Sequence, residues 1–238
     1  MAIAWIRLST GESGEDVGQR GETVEVKRGK KNNYIRGLRW FLVILGWTTI
    51  LLNHIFLMNG LHHSYNFFEA LFHGFKLFTI QSNILVLLSL SLALAYKKKV
   101  VFFTDPKVRT ALAVYITVTM LIFFMVLRQE YRTTGMLHII HVITHYIIPG
   151  GYLIDWFFTV DPKGYHWGDS LKWIIYPGIY GLFSLIYGRL LGEYAYPFLN
   201  LEALSGFSVA LNFLLGLLGF LILGLIFIGI QKSRESLE

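Results

Sequence analysis

Polar side chains are scarce in the long apolar runs of this chain, and those that occur return at helical spacing. Glu69, Lys76, Thr79 and Asn83 are separated by steps of seven, three and four. At about 100° per residue this keeps them within roughly an 80° sector of one helix face. His138, His141 and His145 are separated by three and four, and the same face continues through Pro149 and Tyr152. A hydroxyl attacks an ester carbonyl well only when a neighbouring base takes its proton, and a neutral imidazole is the usual base. Thr79 as nucleophile with His145 as base is therefore sufficient in principle for covalent acyl transfer. Asn83, one turn below Thr79, is a candidate amide donor to the oxyanion or an orienter of the hydroxyl.

Other chemistry fits the same residues. A threonine in a membrane helix most often bonds back to the carbonyl four residues earlier and does nothing else. Histidines at this spacing also suit a metal or haem ligand set. Polar stripes line permeation paths as well, so a non-catalytic transporter or scaffold stands beside the enzyme reading. His54, His73 and His166, near the ends of apolar runs, read as interfacial, and the Trp and Tyr residues near connectors read mostly as an aromatic belt.

The elements that carry these residues follow from composition. Of 238 residues, 54% are hydrophobic, 16% aromatic and only 15% charged, too apolar for a soluble domain of this size. Six runs reach the roughly 20 residues needed to cross hydrocarbon. They fall near Leu38–Met58, Phe68–Tyr96, Val108–Leu127, Met136–Val160, Leu171–Leu190 and Phe207–Ile230. The short alternating segments of an outer-membrane barrel are absent. The fold class expected is all-α, a polytopic membrane protein with six transmembrane helices in one bundle. Residues 1–34 read as a polar, partly disordered cytosolic tail, 35–231 as the transmembrane domain, and 232–238 as a short cytosolic tail.

Lys27, Arg28, Lys30, Lys31, Arg36 and Arg39 precede the first run, and Lys97, Lys98, Lys99, Lys107 and Arg109 fill the second connector. Only Arg128, Arg132 and Arg189 flank the opposite face. The positive-inside bias puts both termini on the cytoplasmic side of a multi-pass protein. The net charge of +6 thus reports topology, with membrane lipids as partner and no nucleic acid. The chain has no cysteine, which excludes disulfides, thiolate metal sites and a cysteine nucleophile together. No phosphate-cradling glycine loop occurs, and no cofactor is implied.

A polar stripe in hydrocarbon costs several kcal/mol unless it faces the bundle interior, so the two stripes are expected to face each other. Thr79 lies about eleven residues into its run and His145 about nine into its own, and the two runs point the same way. At about 1.5 Å per residue both sit roughly 14–17 Å from the non-cytoplasmic end.

Three motifs carry a family resemblance: Phe78-Thr79-Ile80-Gln81-Ser82-Asn83, His141-Val142-Ile143-Thr144-His145-Tyr146-Ile147-Ile148-Pro149, and Glu193-Tyr194-Ala195-Tyr196-Pro197-Phe198-Leu199. In this order and placement the chain resembles the androgen-induced-gene and androgen-dependent TFPI-regulating protein family and its bacterial membrane relatives, over roughly residues 36–230. The step from His145 to Pro149 is shorter than in the animal members, and Asp155-Trp156 is similar to the bacterial branch. The resemblance implies six spans in a plasma membrane and a threonine hydrolase that cleaves fatty acid esters of hydroxy fatty acids. It also implies Thr79 and His145 at the nucleophile and base positions. Asn83, His141, Lys76 and Tyr196 are candidates to bind or orient the lipid ester, and no metal is expected.

Overall fold

The computed structural model describes the backbone of residues 14–59, 66–96, 101–127 and 133–238 and, within these, the side chains of all but 14–31 and 127. The helices run in the order α1 (Gly14–Met58), α2 (Phe67–Phe75), α3 (Phe78–Ala95), α4 (Pro106–Ile122), α5 (Gly135–Val142), α6 (Ile148–Thr159), α7 (Asp169–Trp173), α8 (Ile175–Leu191) and α9 (Gly206–Glu235). A wide π turn over Phe123–Leu127 extends α4, and another over Ile143–Ile147 joins α5 to α6 without ending the rod. No strand occurs among the described residues. Six continuous stretches are long and apolar enough to cross a bilayer: Asn32–Met58, Phe78–Ala95, Pro106–Val126, Gly135–Thr159, Asp169–Leu191 and Gly206–Glu235. The chain is an all-α, multi-pass bundle.

Local sequence explains the ends. Asp105 caps α4, its carboxylate accepting from the N–H groups of Lys107 at 2.9 Å and Val108 at 3.2 Å, with Pro106 at the first helical position. Gly192 ends α8 in the left-handed region at φ 71°. Ser205 caps α9.

One expectation changes. The run Phe68–Tyr96 is not one helix: the chain breaks at Lys76 and Leu77, where Leu77 is extended at φ −90°, ψ 125°. The polar stripe of Glu69, Lys76, Thr79 and Asn83 is therefore split. Glu69 closes a capping box with Asn66 at the start of α2 instead. Residues 14–34 belong to α1, while residues 1–13, Lys97–Lys99, Arg128 and Arg132 lie outside the described residues.

One end of the bundle is tied by charge. Asp155, fully buried on α6, accepts from Arg39 Nε of α1 at 2.6 Å and from an Arg109 guanidinium nitrogen of α4. Thr159 accepts from the same two guanidiniums at 3.0 and 2.8 Å. Close approach of α1 to α6 needs Gly151, where an added Cβ would lie 2.6 Å from Leu42 Cδ2. Removing the acid from such a knot leaves two cations unpaired, so Asp155→Ala is expected to cost roughly 3–5 kcal/mol. The check is the thermal midpoint of the detergent-solubilised protein; an unchanged midpoint would show that the guanidiniums find other partners.

Candidate active site

The break in the second span sets the position of Thr79. Backbone groups freed at Lys76 and Phe78 are taken by one side chain: the Tyr180 hydroxyl of α8 donates to Lys76 O at 2.7 Å and accepts from Phe78 N–H at 3.0 Å. Gln81 Nε2 donates to Phe75 O at 2.6 Å. The ring of Phe78 is anchored in an aromatic cluster, 5.0 Å from Tyr180 and 5.5 Å from Phe220 between ring centres. Thr79, the next residue, is turned about 100° around the helix toward the fourth span.

The consequence shows in a comparison of threonines. Thr49, Thr110, Thr117, Thr119, Thr144 and Thr159 each donate a hydroxyl proton to the carbonyl four residues earlier. Thr79 has no helix behind it to bond to, because α3 starts at Phe78. Its Oγ1 lies 3.3 Å from His145 Nε2 instead. His145 Nδ1 is 2.9 Å from the carbonyl oxygen of His141. A carbonyl only accepts, so Nδ1 carries the ring proton and Nε2 is left to accept from the Thr79 hydroxyl. The His145 ring sits within the π turn and stacks on Phe123, from the π turn of the third span, at 3.8 Å and 20°. Single-turn π bulges recur at functional sites because they re-aim one side chain without breaking the helix. Both Thr79 and His145 are buried.

Asn83 is fully buried, and its Nδ2 donates to the carbonyls of Thr79 at 2.8 Å and Thr144 at 3.1 Å. With both amide protons on backbone oxygens, it braces the second span against the fourth and is not placed to donate to a substrate oxygen. Ser82 adds a bond to Thr79 O at 3.1 Å, so the backbone of Thr79 is held from two sides.

Lys76 is buried at the break and donates to Glu193 at 2.7 Å. That hydrogen bond holds the Glu193 carboxyl below the usual carboxylate range. His73 Nδ1 lies 3.2 Å from the same carboxylate. Lys76 thus grips the connector between the last two spans, not the space beside Thr79. The connector in turn carries Tyr196, whose buried hydroxyl faces the side chain and N–H of Thr79 and the N–H of Phe78. Burial pushes that phenol above its ordinary value, keeping it a neutral donor. These N–H groups belong to the first turn of α3, where no helical carbonyl is available to them.

The three histidines do not converge. His138 is exposed, His141 lies 3.2 Å from Thr133 Oγ1 through Nδ1, and its ring stands at 89° to that of His145 with centres 5.7 Å apart. Among the described residues no group of three His, Asp or Glu side chains has metal-binding geometry.

Spacing pointed to Thr79, His145, Asn83, His141 and Lys76, and the family resemblance to Tyr196; all but Lys76 border the site or brace it directly. It missed Tyr180 and Phe123. Tyr180 had a signal: a phenol mid-way along an apolar span needs a partner and is not part of an interfacial belt.

Two cavities meet at Thr79 and Tyr196. One, about 620 Å³ of empty space including its mouth, lies between the third, fifth and sixth spans and is bordered by Phe78, Ile122, Gly181, Phe213, Gly216 and Phe220. The other, about 500 Å³ on the same measure, lies on the side of the first and fourth spans and is bordered by Asn53, Phe123, Ile140, His141, Thr144 and His145. Compared with protein families, curated proteins and solved structures, the chain matches none.

Proposed function

We propose that this chain is an intramembrane hydrolase of lipid esters in which Thr79 is the nucleophile and His145 the general base. The observation that carries the reading is the Thr79 hydroxyl, released from its own helix and set against an imidazole nitrogen whose partner nitrogen is fixed by the His141 carbonyl. Thr79 Oγ1 attacks the ester carbonyl while His145 Nε2 takes its proton. The tetrahedral intermediate collapses by breaking the carbon to alkoxy-oxygen bond, and His145 returns the proton to the departing alcohol. Water then attacks the acyl-threonine, losing a proton to His145, and free carboxylic acid leaves with Thr79 restored. The oxyanion is met by the Thr79 N–H and the Tyr196 hydroxyl.

The family resemblance supports the same reaction and extends it to fatty acid esters of hydroxy fatty acids. Lysines and arginines beside the first span and second connector support cytoplasmic termini, and the bacterial-like Asp155-Trp156 supports a plasma membrane. The purified protein incubated with a fluorophosphonate probe should become covalently labelled, as an activated hydroxyl is; a transporter or scaffold should stay unlabelled.

Tyr196→Phe removes one oxyanion donor and keeps the ring. It is expected to lower kcat roughly 10²–10³-fold with little change in KM, because the bond forms only as charge develops. Steady-state kinetics check this; an unaltered kcat would assign the oxyanion to backbone N–H alone.

A further inference from the structure

The geometry points to a fixed division of the substrate between the two cavities at Thr79: the acyl chain lies in the cavity between the third, fifth and sixth spans, and the alcohol part lies in the cavity bordered by His145. This rests on the hydrolase reading above. Thr79 and Tyr196 border both cavities, but His145 borders only one. The group that returns a proton to the departing oxygen must face that oxygen, so the alcohol arm leaves on the His145 side. The carbonyl stays on Thr79, and its chain extends away from His145, into the other cavity.

The linings agree with this assignment. On the far side Phe78, Ile122, Phe213, Leu217 and Phe220 dominate, and the polar members are occupied: Thr119 donates to Tyr115 O at 3.2 Å and Asn212 Nδ2 donates to Phe198 O at 2.9 Å. Such a lining suits an unbranched hydrocarbon chain. On the His145 side Asn53, His141 and Thr144 add polar character, which suits an alcohol bearing hydrogen-bonding groups and, once it has gone, the incoming water. Water attacking from this side meets the same Nε2 that must take its proton, so both half-reactions use one approach.

Gly216 reads out the acyl cavity, because it borders that cavity and a Cβ built there meets nothing within 4 Å, which leaves room for a side chain to enter it. Phe213, whose ring closes on Gly181, gives the opposite change. Ile140 borders the His145 side. The test uses full-length protein in detergent and two ester series: one alcohol with acyl chains from acetate to palmitate, and palmitate with alcohols of rising size. Gly216→Leu should lower kcat/KM for palmitate relative to butyrate by about tenfold or more, and Phe213→Ala should shift the optimum to bulkier acyl chains. Ile140→Ala should reorder the alcohol series and leave the acyl optimum in place.

A reversed pattern, with Gly216→Leu acting on the alcohol series and Ile140→Ala on the acyl series, overturns the assignment and leaves the hydrolase standing. If neither Gly216→Leu nor Phe213→Ala moves the acyl optimum of a labelled, active protein, the assignment also fails. Wild-type protein that takes no probe and cleaves no ester removes the underlying reading.

Discussion

Thr79→Ala is expected to abolish fluorophosphonate labelling and to lower ester hydrolysis on the order of 10³-fold or more, with the protein still folded in detergent. The fold should survive because the Thr79 side chain holds nothing up: Ser82 and Asn83 bind its backbone carbonyl, and Tyr180 bonds either side of the helix break. Rate and stability therefore separate in this variant, which the bland role of a helix threonine does not provide for. Thr79→Ser should keep a measurable part of the rate, since serine supplies the same hydroxyl with one methyl fewer. Retention of most activity by the alanine variant would take Thr79 out of the mechanism.

The second large effect concerns the base. His145→Ala should lower the rate by ~10²–10⁴-fold, the usual loss for a general base, and should slow probe labelling in parallel. His141→Ala should cost much less. What His141 gives to His145 is its backbone carbonyl, which alanine retains, while the His141 ring meets the His145 ring edge-on. Activity should also fall on acidification, because an imidazolium at His145 has no lone pair to accept the Thr79 proton. If His141→Ala proves the more damaging change, the base must be reassigned.

Much of this was written in side-chain type and spacing. Apolar runs give the six spans, and polar residues inside hydrocarbon are costly enough to mark Thr79 and the histidines. The meeting of Thr79 with His145 followed from an argument of equal depth along two continuous helices, yet it arises otherwise. Hydropathy is blind to the break at Lys76 and Leu77, since phenylalanines stand on both sides of it and the deciding partner, Tyr180, is about a hundred residues away in the chain. The same blindness joined Glu69 to a stripe it does not belong to and offered Asn83 to the oxyanion when two carbonyls already hold its amide. Asp155 was visible as a lone carboxylate within a span. Its partners Arg39 and Arg109 were read as topology markers, because a charge near a membrane boundary carries both meanings until its neighbours are known.

The ionic knot on Asp155 bears on the order in which the molecule is made. Arg39 and Arg109 both precede Asp155 in the chain, so when the fourth span is delivered to the bilayer its carboxylate meets two waiting cations and never stands alone in hydrocarbon. Spans one, three and four can lock before the rest of the chain is synthesised. The break in the second span is different, since the phenol that satisfies both of its loose ends arrives only with the fifth. A nascent chain of four spans therefore has its scaffold but not a settled Thr79, and the hydroxyl that turns toward His145 is a late product of assembly.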